Sequence, residues 1–331
     1  MTSDLPLGDA HLEAELSDEL DQVEQRLIGA AVHANPLVQT PARHLMQAGG
    51  KRLRPVLVML TSHFGTGIND EVRTAAVATE LTHLATLYHD DVMDDAPLRR
   101  GAPSAQQVWG NSVAILTGDL LFAKASQLVS TLGPEAVRIQ AEAFERLVLG
   151  QLYETLGPAD GQDAVEHYIQ VLADKTGSLI AASAHYGTLF SGAGNQAMTA
   201  AIAYGEKVGV AFQLADDVID LTSDADVLGK EPGTDLRAGV ATMPVLLLRA
   251  AAEAGDIDDV GRSILTDLDS ADEDVRASTL IRLRTHPMLA QARELAQQWA
   301  ADAVAELDPL PEGTAKRALT SFADLLVDRL S

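Results

Sequence analysis

The chain has 331 residues and a formal net charge of −24 at pH 7, which argues against nucleic acid as a partner because phosphate-backbone binding needs a basic surface. It has no cysteine, so disulfides, thiolate zinc sites and catalytic thiols are excluded. Hydrophobic residues make up 47 % and aromatics 4 %, no run of alternating β-branched residues occurs, and the periodicity is helical nearly throughout; the expected class is all-α.

In chain order, residues 1 to about 10 read as a flexible acidic tail, followed by an amphipathic helix from His11 to Ala34. The segment Met1 to Gln25 is acidic and lacks Lys and Arg, the reverse of a secretory or transit signal. Pro36 and Pro41 then interrupt, and a helix begins near Pro55, where proline suits a first turn, and runs to His63. After a turn over Phe64 to Asn69, the next helix ends in Asp90-Asp91-Val92-Met93-Asp94. Pro97, Gly101 and Pro103 mark a connection, with helices expected over Ser104 to Leu132, Pro134 to Leu156 and Ala164 to Leu189. A turn at Ser191 to Asn195 precedes a helix over Gln196 to Leu221. A loop follows from Gly229 to Gly239, and the remainder reads as helices broken at Gly255, Pro287 and Pro309 to Pro311. No linker divides the chain, so a single domain over 1–331 is expected. No stretch reaches the roughly 18 uncharged apolar residues of a membrane span.

The pattern D-D-x-x-D occurs twice, as Asp90, Asp91 and Asp94 and as Asp216, Asp217 and Asp220. Carboxylates at i and i+4 share a helix face about 6 Å apart. One such trio is weak evidence in so acidic a chain. Here both follow strongly apolar helical runs, Leu81 to His89 and Val208 to Ala215, which is not how a solvated acidic face is built. Two trios fit a cage for hard divalent cations, and Mg²⁺ usually completes its coordination with water and substrate phosphate.

Cations are placed as phosphate ligands would be. Gly49-Gly50-Lys51-Arg52-Leu53-Arg54-Pro55 sets three of them after a Gly-Gly turn at a helix start, where backbone N–H groups also favour an anion. Arg99 and Arg100 follow the first motif, Lys175 lies in Asp174-Lys175-Thr176-Gly177, and Lys230 lies in Leu228-Gly229-Lys230-Glu231-Pro232-Gly233.

These segments, in this order and spacing, resemble the trans-isoprenyl diphosphate synthase (polyprenyl synthetase) family over roughly Asn35 to Leu330. The resemblance implies a large helical bundle around a central elongated cavity, usually as a homodimer. It implies three Mg²⁺ ions held with an allylic diphosphate, with Asp90, Asp94, Asp216 and Asp220 as metal ligands and Asp91 and Asp217 completing the catalytic set with Lys175 and Lys230. Lys51, Arg54, His83 and Arg100 match the isopentenyl diphosphate site, and Arg99, Lys175, Gln213 and Lys230 match the allylic diphosphate site. The segment Thr82 to Asp91 is similar to that of long-chain synthases, with Thr82, Ala85 and Thr86 as a chain-length wall of modest side chains. The implied activity is Mg²⁺-dependent head-to-tail condensation of isopentenyl diphosphate with an allylic diphosphate to a long all-trans polyprenyl diphosphate, heptaprenyl to decaprenyl, as for a quinone side chain such as that of menaquinone. The implied location is cytoplasmic, with loose association to a membrane surface.

Rival readings are a farnesyl or geranylgeranyl synthase, a class I terpene cyclase, whose second Asp motif is usually replaced, and a non-catalytic subunit of a heteromeric synthase, against which both Asp motifs and the basic residues stand. The chain departs from the family at Val240, where many members carry Lys or Arg and for which Arg237 is a candidate substitute, and it lacks a basic C-terminal cluster. Without the family, His83 reads as a core histidine; His89 is assigned to structure, and Tyr88 and Trp109 to packing.

Overall fold

The computed structural model describes residues 6–222, 233, 241–268, 270 and 272–327. The described residues are helical apart from turns and one short antiparallel hairpin, β1 (Leu98–Arg99) with β2 (Ala102–Pro103). They fall into two compact units, Met1–Glu145 with Ser178–Gly205 and Glu306–Phe322, and Arg146–Gly177 with Glu206–Ala305 and Ala323–Ser331.

In the first unit, α1 (Ala10–Ala30) is capped by Asp9, whose carboxylate accepts the N–H groups of His11 and Leu12. The Glu13 carboxylate reaches back to the N–H groups of Leu7 and Gly8, and Leu7 is buried. Packed chain therefore begins inside the expected 1–10 tail, held by reciprocal capping. The expected break at Pro36 and Pro41 is also corrected, because both lie within α2 (Pro36–Gln47). Asn35 caps this helix and Pro36 takes a first-turn position, where a missing N–H costs nothing. Pro41 is buried, and its carbonyl accepts the Tyr88 hydroxyl.

The following helices are α3 (Leu53–Ser62), α4 (Asp70–Met93), α5 (Ala105–Trp109) and α6 (Asn111–Thr131). Gly110, at φ +83°, splits the helix expected over Ser104 to Leu132. Then come α7 (Pro134–Leu156), α8 (Ala164–Leu172), a π turn over Ala173–Gly177, and α9 (Ser178–Phe190). Helix α4 is the centre of the first unit and packs against α1, α3, α6 and α9. Its buried residues run without a gap from Ala75 to Thr82, as a helix covered on all sides requires. Helix α6 is long and apolar enough to cross a membrane by length and composition, yet it carries Asp119 and Lys124 and buries Ala114, Thr117, Gly118, Leu121, Ala125 and Val129 in the protein.

In the second unit, α8 and the later part of α10 (Asn195–Thr222) share a core with α11 (Met243–Ala254), α12 (Asp259–Asp267), α13 (Glu273–Thr285), α14 (Pro287–Ala305) and the end of α15 (Thr314–Val327). Val210, Leu214 and Val218 of α10 lie at helical spacing and are fully buried there, which fixes the rotation of the helix that carries the second Asp motif.

Candidate active site

The first motif lies at the C-terminal end of α4. Asp94 caps the helix, with its N–H on the Asp90 carbonyl at 2.8 Å, and Asp90 is half-buried while Asp94 is exposed. Asp91, about 100° round the helix, is fully buried and accepts Arg99 Nε at 2.6 Å. The second motif repeats this arrangement on α10: Asp216 and Asp220 are half-buried, whereas Asp217 is buried. Both oxygens of Asp217 accept the Tyr168 hydroxyl, at 3.1 and 3.0 Å, and one accepts the Met243 N–H at 3.1 Å. Within each motif the middle carboxylate is the most deeply buried, and the first and last are less so. This refines the sequence reading, in which Asp91 and Asp217 stood among the catalytic residues without a separate task.

Among the described residues no three His, Cys, Asp or Glu side chains converge as a ready-made metal cluster. The donor chemistry still suits Mg²⁺, which is ordinarily held by one or two carboxylates with waters and substrate phosphate filling the octahedron.

The basic cluster of the first unit is built on left-handed backbone. Gly49 and Gly50 have φ of +88° and +146°, and Arg52 and Arg100 adopt φ of +52° and +54°. These turns lead into α3, whose N-cap residue Arg52 supplies no side-chain cap, so the first N–H groups of that helix remain available to an anion. Lys51 is exposed. The Arg100 guanidinium donates to the carbonyls of Leu45 and Gly49. Arg54 Nε is buried with no hydrogen-bond partner, and burial pushes this guanidinium down to about 10, against the attraction of Glu80 and Asp90 and with the help of Arg100. Burial, and then Arg54, Arg100, Arg52 and Arg99, hold His83 well below its usual 6.5, so it is a neutral imidazole at physiological pH. The cluster sets Arg52, Arg54 and Arg100 around a neutral histidine, and the buried Arg54 Nε has no hydrogen-bond partner; donors of this kind suit an anion.

Arg52 does not join that cluster as a ligand. Its Nε and Nη2 donate to Glu24 at 2.9 and 3.1 Å, Nη2 also to the Met46 carbonyl at 3.2 Å, and Nη1 to Glu80 at 2.8 Å. Reading all three cations of the Gly-Gly-Lys-Arg-Leu-Arg stretch as phosphate ligands is corrected at Arg52, whose guanidinium nitrogens are all taken by the protein. Glu80 and Glu24 were missed, and no local pattern marks them.

In the second unit Lys175 sits in the π turn, which a close approach makes possible: a Cβ at Gly150 of α7 would lie 2.5 Å from the Lys175 nitrogen. Inserted turns of this kind recur at functional sites. Lys175 Nζ pairs with Glu154. Arg146 braces the turn, donating to Asp174 at 2.7 Å and to Glu206 at 3.1 Å. Gln213 is half-buried on α10, three residues before Asp216. Lys230, Arg237 and Val240 lie outside the described residues.

The wall positions are all on α4. Thr82, Ala85 and Thr86 are buried, and both threonine hydroxyls bond to carbonyls of their own helix, of Ala78 and His83. A Cβ at Gly118 of α6 would lie 2.4 Å from His89 Nε2 and 3.0 Å from the Ala85 carbonyl, so α4 and α6 meet closely beside this stretch. His89 bonds to the Ile115 carbonyl and Tyr88 is fully buried, in keeping with the structural roles expected of them. Trp109 packs edge-on against His44 with centroids 5.0 Å apart.

The polyprenyl synthetase family model matches residues 35–278. A nonaprenyl diphosphate synthase of Mycobacterium tuberculosis is 45 % identical over 324 residues, covering 98 % of this chain and 96 % of its own. Among solved structures, a geranylgeranyl pyrophosphate synthase from Corynebacterium glutamicum complexed with calcium and isoprenyl diphosphate is 40 % identical at a TM-score of 0.85, with 98 % of each chain covered. A polyprenyl synthase from Caulobacter crescentus CB15, with the same ligands, is 30 % identical at a TM-score of 0.87, with 100 % of each chain covered.

Proposed function

The chain belongs to the polyprenyl synthetase family, and from that premise we propose that it is a Mg²⁺-dependent trans-prenyltransferase that condenses isopentenyl diphosphate with an allylic diphosphate to give a long-chain polyprenyl diphosphate. The family match runs through both compact units, which supports one functional domain. The observation that carries the reading is the repeated arrangement of the two Asp motifs, each with a buried middle carboxylate flanked by two less buried ones.

Asp90 and Asp94, and likewise Asp216 and Asp220, would hold Mg²⁺, which when bound would neutralise charge on the departing diphosphate. The rest is the task of the chain's own groups. Arg99, oriented by Asp91, and Lys175, presented by the π turn, bind the allylic diphosphate with Gln213 and Lys230. Lys51, Arg54 and Arg100 bind isopentenyl diphosphate, with neutral His83 as a hydrogen-bonding partner, and so hold its double bond for attack, a positioning effect. The proton lost after attack passes to the released diphosphate as base, and no covalent protein nucleophile is needed.

Support for a long product comes from the nonaprenyl-synthase relative and from the modest side chains at Thr82, Ala85 and Thr86. A short-chain product is the competing reading, favoured by the likeness to the Corynebacterium protein. To the main proposal belong three Mg²⁺ per site, a homodimer, a cytoplasmic location with loose membrane-surface association suited to an apolar product, and a quinone side chain such as that of menaquinone as its destination. Isothermal titration of the protein with inorganic diphosphate, with Mg²⁺ and with EDTA, tests the metal reading. Binding that strengthens with Mg²⁺ is expected, and binding indifferent to EDTA contradicts it.

A further inference from the structure

A buried acid lies beneath the cationic cluster. Glu80 is 1 % exposed on α4, three residues before His83, where anion recognition alone would disfavour a carboxylate. Its partner Arg52 is nearly as deep, with a side chain 9 % exposed. Each nitrogen of that guanidinium has a partner, which links Glu24 of α1, the Met46 carbonyl of α2 and Glu80 of α4 to a residue held at φ +52°. Lys51 precedes this residue and Arg54 follows it by two.

We propose that Glu80 is a positioning residue for the isopentenyl diphosphate site: through Arg52 it locks the left-handed turn that carries Lys51 and Arg54. The assignment rests on the reading of those two residues as diphosphate ligands. An arginine fork satisfied on three sides fixes a backbone conformation that is otherwise costly for a side-chain-bearing residue.

The two roles a buried acid could have here predict opposite signs. If Glu80 acted only through its charge, removing that charge would tighten binding of a polyanion. If it locks the turn, removal weakens binding. Steady-state kinetics with both substrates, alongside thermal melts, separate them in Glu80→Gln and Arg52→Lys, the latter keeping the charge while losing the planar fork. Both variants should raise KM for isopentenyl diphosphate about tenfold, the size of a lost charge-assisted contact, while KM for the allylic diphosphate and kcat at saturation are retained. An unchanged or lowered KM in Glu80→Gln overturns the proposal, as does an equal rise for both substrates with a lowered Tm, which would mark a merely structural pair. Should Glu80→Gln fail to fold, Arg52→Lys alone decides by the same criteria. Arg54→Ala is the control: without an isopentenyl-selective rise in that variant, the site assignment itself fails rather than the role of Glu80.

Discussion

The guanidinium of Arg100 lies against Gly50, so closely that a Cβ at Gly50 would come within 2.8 Å of its Cζ. Gly50 also holds φ +146°, in the region that favours glycine. Gly50→Ala should therefore displace Arg100 and strain the turn at once. Expected are a fall in stability of about 1–3 kcal/mol by thermal melt and a rise in KM for isopentenyl diphosphate larger than that for the allylic substrate. Equal KM values in variant and wild type would remove Arg100 from the site.

The unequal positions within each Asp motif predict two different mutant phenotypes. Asp90→Ala or Asp216→Ala should cost at least about three orders of magnitude in kcat, because each removes a charged group from those stabilising the leaving diphosphate, and should lower Tm less than loss of the buried Asp217 does. Asp217→Ala instead removes the acceptor of the buried Met243 N–H as well as a partner of the half-buried Tyr168 hydroxyl, and should lower stability by about 1–3 kcal/mol through the buried N–H. Equal Tm values for Asp216→Ala and Asp217→Ala would contradict the division of roles.

His83 gives a signed pH dependence. Its folded pKa lies below the usual 6.5, so between the two values the unfolded chain binds the extra proton and stability rises with pH. Stability is lost as pH falls from 6.5 toward the folded value, by up to about 1.4 kcal/mol per pH unit. Chemical denaturation of wild type and His83→Gln at pH 7.5 and 5.5, without substrate, should show the wild type losing more on acidification. Parallel losses would mean that His83 titrates normally.

Ala85→Phe probes product length. Asp90 marks the diphosphate end, and Ala85 lies about 7.5 Å down the axis of α4. A phenyl ring there should stop elongation at farnesyl or geranylgeranyl length while first condensations continue. The measurement is product sizing on the folded variant, and a wild-type product from an active variant would mean that Ala85 serves only the close passage of α4 beside Gly118.

What could be read from the chain were the parts whose chemistry and spacing are local. The two Asp motifs, the Gly-Gly turn before Lys51 and the Arg99-Arg100 pair each occupy a few consecutive residues, and helix geometry already separates Asp91 from Asp90 and Asp94. Glu80, Tyr168 and Arg146 were not legible, because their meaning lies in partners 28, 49 and 28 residues away. The π turn at Lys175 was hidden for another reason: an inserted turn leaves the apolar run of Ala164 to Leu189 intact. Pro41 departs from the local rule, since it lies buried inside α2 although a proline there removes a backbone hydrogen bond, and its contact with Tyr88, 47 residues away, has no local signature.

Long-chain prenyl transfer is tested by incubating the protein with labelled isopentenyl diphosphate, Mg²⁺ and a series of allylic primers and sizing the products. All-trans products of heptaprenyl to decaprenyl length, formed only with the metal present, are expected. No elongation of any primer, elongation undiminished in EDTA, or products that end at farnesyl or geranylgeranyl length would contradict that expectation.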